Sequence, residues 1–290
     1  MKFRPKFRKC ALEVERNGWY RQLDRHFVAF RQRGPRLVVT FDNMKSRDMP
    51  GPRYPWGWSF VEAKGASHLG ICMSRRNDWF RHPSLFDLFD ELQQQDFFRD
   101  FDDVVFYGSS MGGYGALAFA AAAPGSRVVA FVPQTTLCPT LVPFETRFAN
   151  GRKRGDYEDR RYVDGRDGAL AASHVSIFYD PYHAPDQKHV ERLAPANLTL
   201  FRAPFMGHKV PRVLRLMGNL RNISSAALEN QLTEADFRAE LRGRKEKYYF
   251  VKRLLNEALE RGHDDLVARA LARAEARTGR SMAYFRDEED

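Results

Sequence analysis

Short apolar runs alternate with segments of helical period along most of this chain, the pattern of a mostly parallel sheet whose strands are joined by crossover helices. Strands are expected at Arg36–Phe41 (RLVVTF), His68–Met73, Asp103–Tyr107 (DVVFY), Arg127–Val132, Val175–Tyr179 (VSIFY) and Leu198–Phe201. Helices are expected around Leu85–Phe98 and Gln187–Ala194, with a Pro-, Gly- and Trp-rich loop from Asp42 to about Gly65. From Pro133 to Ser173 the alternation gives way to a polar, charged insert (about 134–173), longer than a simple crossover needs and readable as a cap over a site or a solvated excursion. From about Thr233 the texture becomes Leu, Ala, Arg and Glu at helical spacing. Gly262 and Gly279 stand there as helix stops, which predicts a C-terminal helical pair. The expected layout is a 1–222 α/β domain and a 223–290 helical extension.

Composition narrows this little. With 290 residues, 43% of them hydrophobic, the chain can bury a full α/β core. The 47 Lys and Arg against 37 Asp and Glu leave a formal charge of +10, which favours anionic partners as a class. No nucleic-acid reading module accompanies the arginines, so nucleic acid is not the expected partner. Three scattered cysteines, Cys10, Cys72 and Cys138, suggest neither a disulfide framework nor a zinc site. No signal-peptide pattern and no apolar run of membrane-spanning length is present, and a cytoplasmic location without a membrane segment is expected.

The chemistry centres on Gly108-Ser109-Ser110-Met111-Gly112, a G-x-S-x-G pentapeptide lying directly between a predicted strand and a helix of small residues. A nucleophilic serine on a sharp strand-to-helix turn needs that context, because Cβ atoms at the flanking glycines would collide with neighbouring backbone. The helix start supplies free N–H groups, so the Met111 amide is a candidate oxyanion donor. A second donor is expected from the turn after the first strand, at Asp42, although no HGGG-type motif stands there.

Such a serine needs a base and an acid, in the chain order Ser, Asp or Glu, His. His208, on a Gly-His turn after the last predicted strand, is the candidate base. His68, His82, His174, His183 and His189 fit that role less well by position. Asp180, ending the strand VSIFY, is the favoured acid because ligand-handling groups collect at the carboxyl edge of such sheets. Asp186 is its rival, placed like an N-cap before Gln187, and whichever is not the acid is expected to fix the loop. Trp56, Trp58, Trp79 and Tyr114 are candidate pocket or core aromatics. Arg152, Lys153, Arg154, Arg160, Arg161 and Arg166 make the insert basic. No HExxH pattern and no GxxxxGK[ST] loop appears, so neither a metal nor a cofactor is expected.

Over roughly Arg36 to Leu220 these residues resemble the α/β-hydrolase superfamily. GSSMGGYGAL is similar to the S-M-G-G-x-G-A-L elbow of esterase-D-like and mycolyltransferase-like acyl enzymes, and more loosely to bacterial hydrolase-like proteins of surface-glycan modification. The resemblance implies an acyl-enzyme formed on Ser110, with His208 as proton carrier and an aspartate orienting it. The expected activity is a carboxylesterase or deacetylase acting on a small-molecule or glycan acyl ester, and the basic insert, read as a cap, favours an anionic one. Transfer of the acyl group to a hydroxyl acceptor is the neighbouring alternative. A non-catalytic binding protein on the same scaffold is a third.

Overall fold

The computed structural model describes residues 5–44, 51–74, 77–194 and 197–281. In chain order the elements are α1 (Arg8–Val14), β1 (Gly18–Gln22), β2 (His26–Arg31), β3 (Arg36–Phe41), α2 (Trp58–Glu62), β4 (Ser67–Met73), α3 (Pro83–Gln94), β5 (Asp103–Ser109), α4 (Met111–Phe119) and β6 (Arg127–Phe131). They continue with α5 (Ala149–Arg154), α6 (Gly165–Ala171), β7 (His174–Tyr179), α7 (Ala184–Glu191), β8 (Leu198–Arg202), α8 (Val210–Met217), α9 (Leu220–Leu228), α10 (Glu234–Glu240), α11 (Tyr248–Glu260) and α12 (Asp264–Thr278).

The strands form one eight-stranded sheet in the order β1-β2-β4-β3-β5-β6-β7-β8. β2 runs antiparallel to both β1 and β4, whereas the β4, β3, β5 and β6 pairings are parallel. This is an α/β-hydrolase fold, as expected, with helices flanking the sheet and a run of helices at the C-terminal end. Each expected strand is present to within two residues at either end. The antiparallel pair β1 and β2 was not expected. β1 (GWYRQ) is an edge strand with no fully buried residue, so its sequence carries no apolar run to read.

By its packing the chain divides into two units, Met1–Ile177 with Lys188–Thr199, and Phe178–Gln187 with Leu200–Asp290. In the first, α4 (MGGYGALAF) is buried on every side, which its small residues allow. The Phe41 ring, at the end of β3, packs against Phe80, Phe89 and Phe119, and burial of each such ring contributes roughly 1.5–3 kcal/mol.

The charged insert turns out to be structural in large part. Arg152 gives its guanidinium to the carbonyls of Leu137, Val142 and Glu145. Arg161 spans Asp87 and Asp90 of α3, and the Tyr114 hydroxyl donates to the Tyr162 carbonyl at 2.8 Å. α6 lies so close on α4 that a Cβ at Gly168 would stand 1.9 Å from the Leu117 carbonyl oxygen. The loop expected from Asp42 to about Gly65 contains α2, and its positions 45–50 lie outside the described residues. Trp58, Trp79 and Tyr114 are buried in the core; Trp56 is half-buried against Tyr107.

In the second unit, Phe178 stacks on Phe201 at 4.4 Å and meets Phe237 of α10 edge-on. Thr233 and Asp236 form a capping box at the start of α10. The expected C-terminal pair is α11 and α12, which end beside Gly262 and Gly279, both at positive φ. No helix among the described residues is long and apolar enough to cross a membrane.

Candidate active site

β5 ends at Ser109 and α4 begins at Met111, leaving Ser110 alone on the turn between them. Its backbone takes φ 55° and ψ −119°, a conformation strained for any residue with a Cβ, at a cost of about 1–3 kcal/mol. The surroundings hold it there. The Ser110 amide donates to the Phe131 carbonyl at the end of β6, at 2.8 Å, and the Ser110 carbonyl accepts from Tyr114 of α4. Close approach explains the flanking glycines: a Cβ on Gly108 would stand 2.0 Å from the Gly112 carbonyl oxygen, and one on Gly112 would stand 2.7 Å from that of Phe41. Although Ser110 occupies the N-cap position of α4, its hydroxyl makes no capping hydrogen bond, the usual task of a serine there. Met111 is the first helical residue, so the helix itself offers its amide no carbonyl.

The Asp42 amide does not fit the oxyanion role expected of it. It donates to the Ile71 carbonyl at 3.0 Å, extending the β3–β4 ladder by one residue. The buried Asp42 carboxylate is held by the Arg53 guanidinium and by the Met73 amide, at 2.9 Å from the latter. Both hydrogen-bonding ends of this residue are therefore committed to structure.

The second unit carries the candidate base. Gly207–Lys209 forms one turn of 3-10 helix leading into α8, and Gly207 has φ 56° with the Arg253 guanidinium packed against its Cα. The His208 ring is about a quarter exposed, and its Nδ1 lies 2.8 Å from Asp186 Oδ2 and 3.0 Å from Oδ1. Asp186, not Asp180, is the carboxylate on this imidazole. The sequence order Ser, Asp, His holds with either residue, but the boundary of α7 decides which one turns inward. α7 starts at Ala184 with Pro185 in its first turn, a favoured place for proline, which makes Asp186 an inward-facing helical residue and not a cap.

Asp180 fixes the loop. Its Oδ2 accepts from the Gly207 amide at 2.6 Å and its Oδ1 from the Tyr182 amide at 2.9 Å. It thereby pins the residue next to His208. His183 is the partner that sequence position did not suggest: its Nδ1 stands 3.1 Å from Asp186 Oδ2. Burial acts to raise the Asp186 carboxyl, but the two imidazoles outweigh it and hold the group well below the usual carboxylate range. Where no metal was expected, His183, Asp186 and His208 bring three ligand atoms within 4.8 Å of one another.

The first unit contains a hydroxyl–imidazole–carboxylate chain that is wholly buried. His189 Nδ1 accepts from the Thr135 amide at 3.1 Å and lies 3.0 Å from Thr135 Oγ1, while its Nε2 lies 3.1 Å from Glu145 Oε2. Because Nδ1 accepts from a backbone N–H, the ring proton sits on Nε2 and points at Glu145. No part of this chain reaches solvent, so it is an internal brace. A cleft of about 720 Å³ in the same unit, lined by Asp103 and Arg127 among others, opens where β5 and β6 begin, at the opposite end of β5 from Ser110.

No protein-family model matches the chain, and no curated protein matches it in sequence. Among solved structures it is similar to the capsule O-acetyltransferase of Neisseria meningitidis serogroup A, at 12% identity over 72% of this chain and 93% of that one, with a TM-score of 0.48. It is similar to carboxyl esterase 2 of Tuber melanosporum at 12% identity over 83% and 100% of the two chains, TM-score 0.47. An esterase/lipase from an uncultured bacterium gives 14% identity over 80% and 88%, TM-score 0.48.

Proposed function

We propose that this chain is a serine hydrolase that cleaves an ester or other small acyl bond through an acyl-enzyme on Ser110. In this reading the Ser110 hydroxyl attacks the carbonyl carbon, and His208 takes its proton at Nε2 and returns it to the leaving group. Asp186 accepts from Nδ1–H, which fixes the tautomer with a bare Nε2 and stabilises the imidazolium as it forms. The Met111 amide gives one hydrogen bond to the tetrahedral oxyanion. Water then releases the acyl group by the same steps in reverse.

The observation that carries this reading is the backbone of Ser110. A glycine would adopt φ 55° at that turn without strain, and a serine kept there without capping its helix is best explained by a use for its hydroxyl. The buried carboxylate on His208 Nδ1 supports the same chemistry independently, since it prepares one histidine as a base.

The test is covalent labelling of the purified chain with a fluorophosphonate, alongside release of p-nitrophenol from p-nitrophenyl acetate. Labelling and release are expected in the wild type and are expected to vanish in Ser110→Ala and His208→Ala. A folded wild type inert to both reagents sinks the proposal. Product analysis with an added alcohol then separates hydrolysis from transfer to a hydroxyl acceptor.

A further inference from the structure

His183 has no task in the reaction proposed above. One carboxylate orients one base, yet the fully buried Asp186 faces two imidazoles, with Oδ2 2.8 Å from His208 Nδ1 and 3.1 Å from His183 Nδ1. His183 Nδ1 is sheltered from solvent and makes no hydrogen bond of good geometry among the described residues. This nitrogen shares a small space with a carboxylate oxygen and a second ring nitrogen, all within 4.8 Å of one another. In a tetrahedral site with bonds of roughly 2.0–2.1 Å, neighbouring donor atoms stand about 3.3–3.4 Å apart. The 3.1 Å separation to His183 is short of that by about 0.2–0.3 Å and the 2.8 Å separation to His208 by about 0.5–0.6 Å, so the ligands must spread slightly as an ion enters.

We infer that His183, Asp186 and His208 form a site for a divalent ion of the zinc class, and that filling it switches off the base. Two imidazole nitrogens and one carboxylate oxygen suit zinc and its borderline neighbours, whereas magnesium and calcium prefer oxygen throughout. Water would complete the tetrahedron. The switch follows from the tautomer: an ion on Nδ1 of neutral His208 requires the single ring proton to sit on Nε2, the nitrogen that must be bare to accept a proton from serine. That proton moves from Nδ1 to Nε2 as the ion enters, and the ring stays neutral. Lys209, next in the chain, and Arg253, packed on Gly207, disfavour a cation and set its affinity below that of a closed four-ligand zinc site. The switching half of the inference rests on His208 being the base; the ion site does not.

The experiment is isothermal titration calorimetry of the full chain with zinc chloride, run beside fluorophosphonate labelling over the same zinc range. Wild type, His183→Gln and His263→Gln are compared, the last an exposed histidine of the same unit. Wild type and His263→Gln are expected to bind one equivalent, with labelling lost at the same midpoint and restored by EDTA. His183→Gln is expected to bind at least about a hundredfold more weakly, since loss of a partner to a ligand alone costs up to that much. Cobalt(II) in the wild type should give the intense visible absorption of a tetrahedral ion, a readout that needs no variant. Zinc bound equally well by His183→Gln, or no stoichiometric binding by the wild type, overturns the site. Stoichiometric zinc that leaves labelling unchanged overturns the switch. Zinc bound through His183 by a wild type that is never labelled upholds the ion site and overturns the serine-hydrolase reading instead.

Discussion

Nδ1 of His208 lies 2.8 Å from Oδ2 of Asp186, while Asp180 uses one carboxylate oxygen to hold the amide of Gly207, the residue just before that histidine. The two aspartates therefore predict different failures. Asp186→Asn removes the acceptor that fixes the His208 tautomer and should lower kcat on p-nitrophenyl acetate by about 10³–10⁴, with a far smaller effect on KM. Asp180→Asn weakens a charge-assisted hydrogen bond to backbone. It should destabilise the fold by about 1.5–3 kcal/mol and reduce kcat much less. Paired measurements of kcat and of the urea midpoint for both variants check this; a larger kcat loss in Asp180→Asn would restore Asp180 as the acid.

Replacing Ser110 by glycine should abolish labelling while stabilising the protein. The strain at φ 55° and ψ −119° is released when the Cβ is removed, so Ser110→Gly is expected to gain about 1 kcal/mol over Ser110→Ala, which keeps a Cβ. Thermal unfolding of the two variants side by side measures the difference. Equal melting temperatures would mean that the turn stores no strain.

Most of the sheet was legible because its inner strands are continuous apolar runs bounded by turn residues, as RLVVTF, DVVFY and VSIFY show. The strand-to-helix turn at Ser110 was legible because its glycines are fixed by collisions that any residue with a Cβ would make. Two features were hidden for physical reasons. The edge strand β1 has no buried face to leave a pattern. Asp186 reads as a cap only if the helix starts at Gln187; α7 begins three residues earlier, at Ala184, so Asp186 is a residue of the first turn and its carboxylate meets His208. The oxyanion role expected at Asp42 failed similarly, since only the register of β3 on β4 shows that its amide is already bonded to Ile71.

Two glycines, Gly108 and Gly243, should differ sharply in their tolerance of alanine. At Gly108 the added Cβ meets backbone, the Gly112 carbonyl oxygen at 2.0 Å, and neither strand β5 nor helix α4 can retreat without moving Ser110. Gly108→Ala should cost about 3 kcal/mol or more and remove labelling with it. Gly243 has nothing within 4 Å of its added Cβ and no positive φ, so Gly243→Ala should change stability by less than about 0.5 kcal/mol. Chemical denaturation of both variants is the check, and an unaffected Gly108→Ala would contradict the close approach of β5 to α4.

The buried brace around His189 gives the fold an acid limit of predictable sign. Burial alone would raise the Glu145 carboxyl, but the His189 imidazole and the Arg147 guanidinium outweigh it and bring the group down from 4.5 to about 2. The folded state thus binds the Glu145 proton less readily than the unfolded state does. Its stabilisation is fully present above about pH 4.5 and is lost as the pH falls from there towards 2. Glu145→Gln leaves no carboxylate to protonate, so its urea midpoint should lie below that of the wild type near pH 6 and converge on it as the pH approaches 3. Midpoints measured across that range decide the matter: a gap that stays constant with pH would show that the Glu145 charge contributes nothing, and that hydrogen bonding and shape alone hold His189 in place.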